Sequence, residues 1–198
     1  MSQAIPADLI VSVSGIRGIV GKSLTPQAAV SFAAALGTYL GGGRVVVSRD
    51  SRPSGNMLRH AVIAGLLSAG CSVEDIGIAP TPTCGVAVRR LQAAGCIQIS
   101  ASHNPAPWNG LKMFGSDGAV LNAQRGADVR SIFESGSASA VGWNSIGVVG
   151  APPDVQEMHA QIVCEQISVA AIHASQFRVV VDGNGGAGGP LAVHLLQN

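Results

Sequence analysis

The sequence predicts an α/β fold with a mixed, mostly parallel sheet and helices on both faces of that sheet. The first observation is that helical and strand-like patterns alternate along the first 100 residues, as they do in βαβ units. The second is that strand-like segments such as residues 45–47 are short β-branched runs without polar alternation, which is typical of strands covered on both faces. The third is a composition of 47% hydrophobic and 12% charged residues, which indicates an ordered core.

The predicted elements follow one another in a regular order. The first helix is expected after Thr25, a capping residue, with Pro26 at its first position and a run of glycines at its end. The next elements are a strand at 45–47, a helix over 55–69, a strand at 71–77, a helix over 80–95 and a strand at 96–100. An Asp-Gly pair then favours a tight chain reversal within residues 111–121.

A change in composition predicts a domain boundary near residue 150. Residues 135–153 are poor in charge and rich in Ser, Gly and Pro, as linkers and domain edges are. We therefore expect residues 1–150 to form one domain and residues 151–198 to begin a second, similar α/β domain. Its predicted elements are a helix over 154–174, a strand at 177–182, a glycine loop at 183–189 and a helix after it. Because such a piece cannot bury both faces of its sheet, we expect this second domain to be truncated.

Charge and hydropathy exclude several classes of partner. The net charge is +1 and the 12 Lys and Arg residues form no basic run, so we expect no nucleic-acid partner. No signal peptide is recognisable and polar residues interrupt every apolar run, so we expect no membrane segment and a cytoplasmic location. The four cysteines lack metal-ligand spacing, and we interpret them as reduced, buried side chains.

One short stretch, residues 99–118, concentrates reactive side chains. Ser102, His103 and Asn104 are followed by a proline, which keeps Asn104 out of the helical region. Ligands of open α/β sheets bind beyond the carboxyl ends of the strands, where this turn is expected. A serine hydroxyl is a weak nucleophile until a base, a positive charge or a metal assists it, and His103 and Lys112 could supply the first two. An ordinary strand-to-turn connection would use the same residue types.

Two further segments carry arginines at the ends of predicted strands. Arg17 lies between glycines in SGIRG, a segment we interpret as a loop that lets its backbone approach a ligand. Arg49 and Arg52 flank Asp50 in SRDSRPSG. If these segments converge on one crevice they would form a phosphate site, whereas Asp50 could instead pair with an arginine for purely structural reasons.

Five motifs lie in order along almost the whole chain: SGIRG, SRDSRPSG, GIAPTPT, ISASHNPAPWNGLKMFGSDG and VVVDGNGGAGG. This ordered set resembles the α-D-phosphohexomutase family, the phosphoglucomutases and phosphomannomutases. The resemblance implies that Ser102 is carried as a phosphoserine, that His103 follows it in the active site and that Lys112 is a general acid/base. It also implies that Arg17 contacts the active site as a catalytic residue, and that Arg17, Asn104 and Lys112 bind phosphate. A phosphoserine carries about −1.5 to −2 charges at pH 7, which Arg17, Lys112 and a divalent ion would balance.

The resemblance further implies the reaction and its requirements. A phosphohexomutase interconverts hexose 1-phosphate and hexose 6-phosphate through the phosphoserine and a bisphosphorylated sugar. We expect a phosphosugar substrate, Mg²⁺ bound through a phosphoryl oxygen on Ser102, and a glucose 1,6-bisphosphate-type activator. The family's aspartate-rich metal loop and its sugar-selecting loop have no counterpart in these 198 residues. We therefore expect the isolated chain to be inactive without the remaining domains of its parent, and the sequence does not choose between glucose, mannose and glucosamine phosphates.

Two other readings stay open at this level. The first is a non-catalytic, mutase-like binding or scaffold module. The second is a dinucleotide-binding protein, because Gly183, Gly185 and Gly188 satisfy G-x-G-x-x-G between a predicted strand and a predicted helix.

Overall fold

The computed structural model describes residue 6 and residues 8–197, which form a seven-stranded sheet and the helices around it. The strands are β1 (Ile10–Ser12), β2 (Gly15–Ile19), β3 (Gly43–Arg49), β4 (Cys71–Ile78), β5 (Gly95–Ile99), β6 (Trp108–Gly115) and β7 (Val149–Gly150). The helices are α1 (Pro26–Leu40), α2 (Gly55–Ser68), α3 (Thr81–Arg90), α4 (Ala123–Ser135), α5 (Val155–Cys164), α6 (Val169–Ala174) and α7 (Gly188–Gln197). Residues Trp143–Ser145 form a short 3-10 turn.

The strand order is β1-β2-β6-β5-β3-β4-β7. β3 pairs in parallel with β4 and β5, and β4 pairs in parallel with β7. β6 is antiparallel to both β5 and β2, and β1 is antiparallel to β2. Within the described residues, five strands therefore point one way, and only β1 and β6 point the other way. The prediction of a mixed, mostly parallel sheet is confirmed.

Helices cover both faces of the sheet, and β3 shows why the sequence requires this. Val45 and Val47 belong to the core cluster that includes residues of α1, α2 and α4, whereas Val46 belongs to the cluster that includes residues of α3 and α5. All three valines are fully buried, as expected for a strand without polar alternation. β5 lies between β3 and β6 and pairs with both up to Ile99, so its carboxyl end is held on both sides.

Local capping follows the sequence at the first helix. The Thr25 hydroxyl accepts a hydrogen bond from the Ala28 amide at 3.2 Å, Pro26 is the first helical residue, and Gly41 ends the helix in the left-handed region. The chain reversal after β6 also forms, because the Gly115 amide donates to the Ala119 carbonyl at 2.9 Å.

The SGIRG segment differs from its prediction, because it is the strand β2 and not a loop. Its Gly15 is needed for close packing against the neighbouring strand. A β-carbon added at Gly15 would lie 1.8 Å from the Leu111 carbonyl oxygen of β6, and the backbone φ of Gly15 is +139°. The glycine pattern that indicates a flexible loop here reflects an intimate strand pair.

Residues beyond 150 depart most from the predictions. The expected strand at 177–182 is wrong: these residues belong to no helix or strand, and Val180 is 95% exposed. The expected helix over 154–174 is divided into α5 and α6. A strand needs a neighbour to satisfy its backbone groups, and no described strand lies beside this segment.

Part of the predicted linker, residues 135–153, belongs to the seven-stranded sheet. Its residues Val149 and Gly150 form β7, which extends the sheet beside β4, and Val155 at the start of α5 is buried against Val46 and Phe114. The boundary at residue 150 stays a prediction. α7 contacts α5 through His194, whose Nε2 lies 2.6 Å from a Glu157 carboxylate oxygen.

The cysteines behave largely as small apolar side chains. Cys71, Cys84 and Cys96 are buried, Cys164 is half-buried, and all four are free thiols. Burial raises the pKa of the Cys71 and Cys96 thiols, so both stay protonated at neutral pH. No helix within the described part of the chain is long and apolar enough to cross a membrane.

Candidate active site

The Ser102 loop, residues 100–107, connects the carboxyl end of β5 to β6. Ser102 and His103 are both exposed, and the Ser102 Oγ lies 3.4 Å from Nδ1 of His103. The Ser102 amide donates to the Ser100 hydroxyl at 3.1 Å. The structure therefore presents this hydroxyl and its neighbouring imidazole to solvent at the edge where α/β sheets bind ligands.

Ser102 has an unusual backbone conformation. Its φ is +57°, in the left-handed region that residues with a β-carbon rarely adopt. That conformation costs roughly 1–2 kcal/mol for a residue other than glycine. Such a conformation persists only where surrounding contacts enforce it, and it is commonest at functional sites.

Arg17 and Lys112 lie together on one face of the β2–β6 strand pair. Arg17 is directly opposite Gly110, and Lys112 is directly opposite Gly15, so the two cations are diagonal neighbours. Each long side chain faces a glycine, which leaves the space between them unfilled. Both residues line a cavity of about 170 Å³, whose wall also includes Ser100.

The cation pair is joined to the Ser102 loop by one hydrogen bond. Arg17 Nη1 donates to the Asn104 side-chain oxygen at 3.3 Å. Within the described residues neither Arg17 nor Lys112 forms an ion pair, so this cavity carries positive charge that a bound anion would neutralise. Ser102 and His103 are not among the residues that line the cavity; they extend from the loop that Asn104 ties to it.

In the SRDSRPSG segment, the structure shows the arginine–Asp50 pair that the sequence left as one of two possibilities. Arg52 pairs with Asp50, since Arg52 Nε lies 3.2 Å from Asp50 Oδ2. The rest of the Arg52 guanidinium donates to backbone carbonyls of the Ser102 loop and of Trp108. Arg52 is therefore used by the protein itself. The sequence raised the pairing with Asp50 but not the contacts to the Ser102 loop, because those acceptors are main-chain oxygens.

Asn109 is a second residue whose positioning role the sequence did not single out. Its side chain is fully buried; its amide nitrogen donates to the Ser54 hydroxyl at 2.9 Å, and its oxygen accepts from the Gly110 amide at 2.8 Å. These contacts fix the start of β6 against the N-terminus of α2. The adjacent Gly110 permits close packing, because a β-carbon there would lie 2.8 Å from the Ile16 carbonyl oxygen. The Asn-Gly pair inside the NGLK motif was the available signal.

The described residues do not form a self-contained metal site. No three His, Cys, Asp or Glu side chains among them are grouped as ligands. The one acidic residue of the SRDSRPSG segment, Asp50, is already paired with Arg52. Magnesium binding through Ser102 therefore stays a prediction from the family resemblance, and no chemical step is derived through the metal.

The glycine loop at 183–189 lacks the context that dinucleotide binding requires. α7 does begin at Gly188, yet residues 177–182 before the loop are not a strand in the described structure. A dinucleotide fingerprint needs a strand, a tight glycine turn and a helix in succession. Nothing in the local geometry supports that alternative.

Comparison with known families matches the part of the chain that carries these residues. The model of the phosphoglucomutase/phosphomannomutase α/β/α domain I matches residues 8–140. That range contains the whole Ser102 loop together with Arg17 and Lys112.

Similar proteins extend the match over most of the chain. A "Probable phosphoglucosamine mutase" from Thermococcus gammatolerans is 41% identical over 182 residues, which cover 92% of this chain and 39% of that protein. A "Phosphoglucomutase/phosphomannomutase" from Thermococcus kodakarensis is 40% identical over 188 residues, or 92% of this chain and 41% of the relative. A solved structure of a phosphoglucomutase/phosphomannomutase family protein from Burkholderia thailandensis superimposes with a TM-score of 0.78 at 29% identity, covering 95% of this chain and 41% of its own. The chain thus spans about two fifths of the length of the relatives it matches.

Proposed function

Because the chain belongs to the phosphoglucomutase/phosphomannomutase family, we propose that it forms the phosphoserine-bearing part of a phosphohexomutase. The enzyme interconverts hexose 1-phosphate and hexose 6-phosphate, with Ser102 as the residue that holds the phosphoryl group between transfers. Its relatives carry the names of phosphoglucosamine mutase and of phosphoglucomutase/phosphomannomutase, so the hexose is left open among these.

One observation carries this proposal. Two cations without an ion-pair partner in the described structure, Arg17 and Lys112, lie on one sheet face, and Arg17 is hydrogen-bonded to the loop that presents Ser102. Phosphoryl transfer depends on positioning and on neutralising charge more than on covalent chemistry by the protein. An exposed hydroxyl on a fixed loop, joined to the cation pair through the Arg17–Asn104 hydrogen bond, supports both requirements.

The transfer step assigns a task to each side chain. A sugar hydroxyl oxygen attacks the phosphorus on Ser102, a new P–O bond to the sugar forms, and the P–Oγ bond to Ser102 breaks. The hydroxyl proton passes to Lys112 Nζ as general base, and His103, whose Nδ1 lies 3.4 Å from Oγ, returns a proton to Ser102. The reverse sequence moves the other phosphoryl group of the bisphosphorylated sugar back to Ser102. Arg17 and Asn104 contact the phosphoryl oxygens and hold them in line.

The requirements of the reaction belong to the same proposal. Mg²⁺ would take a phosphoryl oxygen of Ser102 as one ligand, a glucose 1,6-bisphosphate-type activator would load the serine, and the remaining domains of the parent chain would supply the other contacts. A non-catalytic scaffold would need none of these. A cytoplasmic location is also proposed, and it suits a protein whose four cysteines are free thiols.

Turnover tests the proposal directly. The native gene product, at whatever length the cell makes it, is incubated with Mg²⁺, a trace of glucose 1,6-bisphosphate, and glucose, mannose or glucosamine 1-phosphate in turn. We expect conversion of at least one substrate to its 6-phosphate. Failure with all three would contradict the proposal. Residues 1–198 alone should give no turnover, and steady conversion by them would refute the need for further domains.

A further inference from the structure

We propose that Arg52, oriented by Asp50, is the positioning residue that holds the Ser102 loop in the conformation used for phosphoryl transfer. Its catalytic consequence rests on the proposed function, whereas its effect on the loop does not. Arg52 does not touch the transferred group in this assignment. It acts only through the backbone that carries Ser102.

The Arg52 guanidinium is saturated by the Ser102 loop, Trp108 and Asp50. Nη2 donates to the carbonyl oxygens of Ser102 at 3.0 Å and Asn104 at 2.7 Å. Nη1 donates to the carbonyl oxygens of Pro105 at 3.0 Å and Trp108 at 3.2 Å. Arginine has five side-chain N–H groups in a planar fork, and the fifth, on Nε, donates to Asp50. None is left for a substrate phosphate, which separates Arg52 from a binding residue.

Asp50 sets the direction of this fork and connects it to the sheet. One carboxylate oxygen accepts from Arg52 Nε at 3.2 Å, and the other accepts from the Arg52 amide at 3.0 Å. The Asp50 amide donates to the Ile99 carbonyl at 2.9 Å, at the last residue of β5. The Arg52 and Asp50 side chains are only 16% and 18% exposed. The clamp is thus anchored to the strand from which the loop departs.

Besides the Arg52 contacts, the loop is held by the Ser102 amide on the Ser100 hydroxyl, by Arg17 on the Asn104 side chain and by the Val20 amide on the Pro107 carbonyl. Its internal backbone hydrogen bonds are those of the Asn104 amide to the Ala101 carbonyl and the Trp108 amide to the Pro105 carbonyl. Ser102 lies in the left-handed region, which it would leave if unsupported. Four carbonyls drawn to one charged, planar group fix the path of the chain from residue 102 to residue 108. A lysine could not replace this group, because an ammonium has three donors and no planar fork.

A matched pair of variants tests the clamp without requiring any enzymatic activity. Arg52→Gln is compared with Arg59→Gln, which breaks another arginine–aspartate pair, that between Arg59 and Asp75 on α2 and β4. Amide hydrogen exchange is measured on residues 1–198. We expect exchange at Asn104 and Trp108 to accelerate about tenfold or more in Arg52→Gln, with core amides of β5 unchanged. Arg59→Gln should leave the loop amides at their wild-type rates.

Two results would overturn the positioning role. One is wild-type protection of the loop amides in folded Arg52→Gln. The other is equal loss of loop protection in Arg59→Gln, which would show a general loss of stability. Should Arg52→Gln fail to fold, Asp50→Asn provides the second test, because it removes the acceptor for Nε or for the Arg52 amide while keeping the side-chain shape. Faster loop exchange in Asp50→Asn supports the clamp, and unchanged exchange contradicts it.

Kinetics of the native gene product test the catalytic consequence. A displacement of about 1 Å at a reacting group can cost about 100-fold in rate, so we expect kcat of Arg52→Gln to fall by about that factor. KM should stay within about twofold, because no Arg52 donor faces the substrate, and Arg52→Lys should recover only a small part of kcat. A rise in KM at constant kcat would contradict the assignment. If the wild-type gene product shows no mutase activity, the proposed function fails while the exchange measurement still decides the clamp.

Discussion

Two arginines contact the Ser102 loop, and they differ in how much of their hydrogen-bonding capacity the protein itself consumes. Arg17, on β2, makes one side-chain hydrogen bond within the described structure, to Asn104, and lines the cavity shared with Lys112. Arg52, in the segment after β3, uses all five side-chain N–H groups on Asp50 and backbone carbonyls. An arginine with donors to spare is suited to bind a phosphate, whereas a saturated arginine is suited to hold the chain. Arg17 and Lys112 thus form a binding region, and Arg52 and Asp50 form a supporting region, around the loop that carries Ser102.

The largest effect is expected at the serine that both regions serve. Ser102→Ala removes the only oxygen on which the phosphoryl group is proposed to reside, so mutase turnover of the native gene product should fall by about 1000-fold or more. Ser139→Ala, at an exposed serine outside both regions, is the control and should be unaffected. Turnover near the wild-type rate in Ser102→Ala would contradict the proposal that Ser102 carries the phosphoryl group.

The next effect concerns the strand pair that creates the binding region. In Gly110→Ala the new β-carbon would lie 2.8 Å from the Ile16 carbonyl oxygen and 3.1 Å from that of Ser100, so β2 and β6 must separate. We expect the free energy of unfolding to fall by about 3 kcal/mol in urea titration. Gly21→Ala is the control: its φ is +79° and nothing lies within 4 Å of the added carbon, so it should cost about 1 kcal/mol. Equal losses would show that close strand packing is not what Gly110 provides.

A smaller and opposite pattern should distinguish Arg17 from Arg52. Arg17→Gln removes a cation from the cavity while leaving the four loop carbonyls on Arg52, so whichever hexose 1-phosphate the native gene product converts should bind to it about tenfold more weakly. Calorimetric titration gives the affinity, and amide exchange of the Ser102 loop should match the wild type. If Arg17→Gln instead loosened the loop and left affinity intact, the division between the two arginines would be reversed.

The smallest effect lies outside both regions, at His159 on α5. Burial lowers the pKa of His159 below its ordinary value of 6.5, and its Nδ1 lies 2.8 Å from the Thr83 hydroxyl on α3. Because the unfolded chain then binds the proton more readily than the native one, stability is complete above pH 6.5 and declines as pH falls below it. His159→Gln should flatten this part of the stability profile, with His173→Gln on exposed α6 as the control. If the free energy of unfolding of His159→Gln still fell below pH 6.5 with the wild-type slope, the pH dependence would arise from another group.

The sequence anticipated the parts of the fold that depend on local patterns. The alternation from β3 to β5 and the capped α1 follow from β-branched runs, helical spacing and the Thr25–Pro26 start. β2 was mistaken for a loop because glycines that allow close strand packing look like glycines that allow flexibility. The strand expected at 177–182 was wrong because a β-branched run predicts strand propensity, whereas a strand also needs a neighbour to bond with.

The candidate site could be foreseen only in part for a similar reason. Ser102, Arg17 and Lys112 were found through motif types and family resemblance, and the register of β2 with β6 explains why the two cations are neighbours. The pairing of Arg52 with Asp50 was foreseen as one possibility, whereas its hold on the Ser102 loop was not predictable, since those partners are main-chain carbonyls that any residue type supplies. Side-chain chemistry can be read from a sequence, whereas a contact to backbone depends on where the fold brings the chain.

The most direct measurement is the mass of the native gene product after exposure to glucose 1,6-bisphosphate and Mg²⁺, followed by mapping of its peptides. If the exposed Ser102 hydroxyl, on the loop that Arg17 contacts through Asn104, is the phosphoryl carrier, the protein gains a single phosphate, found on the peptide that contains Ser102 and absent from Ser102→Ala. A protein that turns over hexose phosphate with no phosphate on that peptide, or with the phosphate on another residue, would contradict this account.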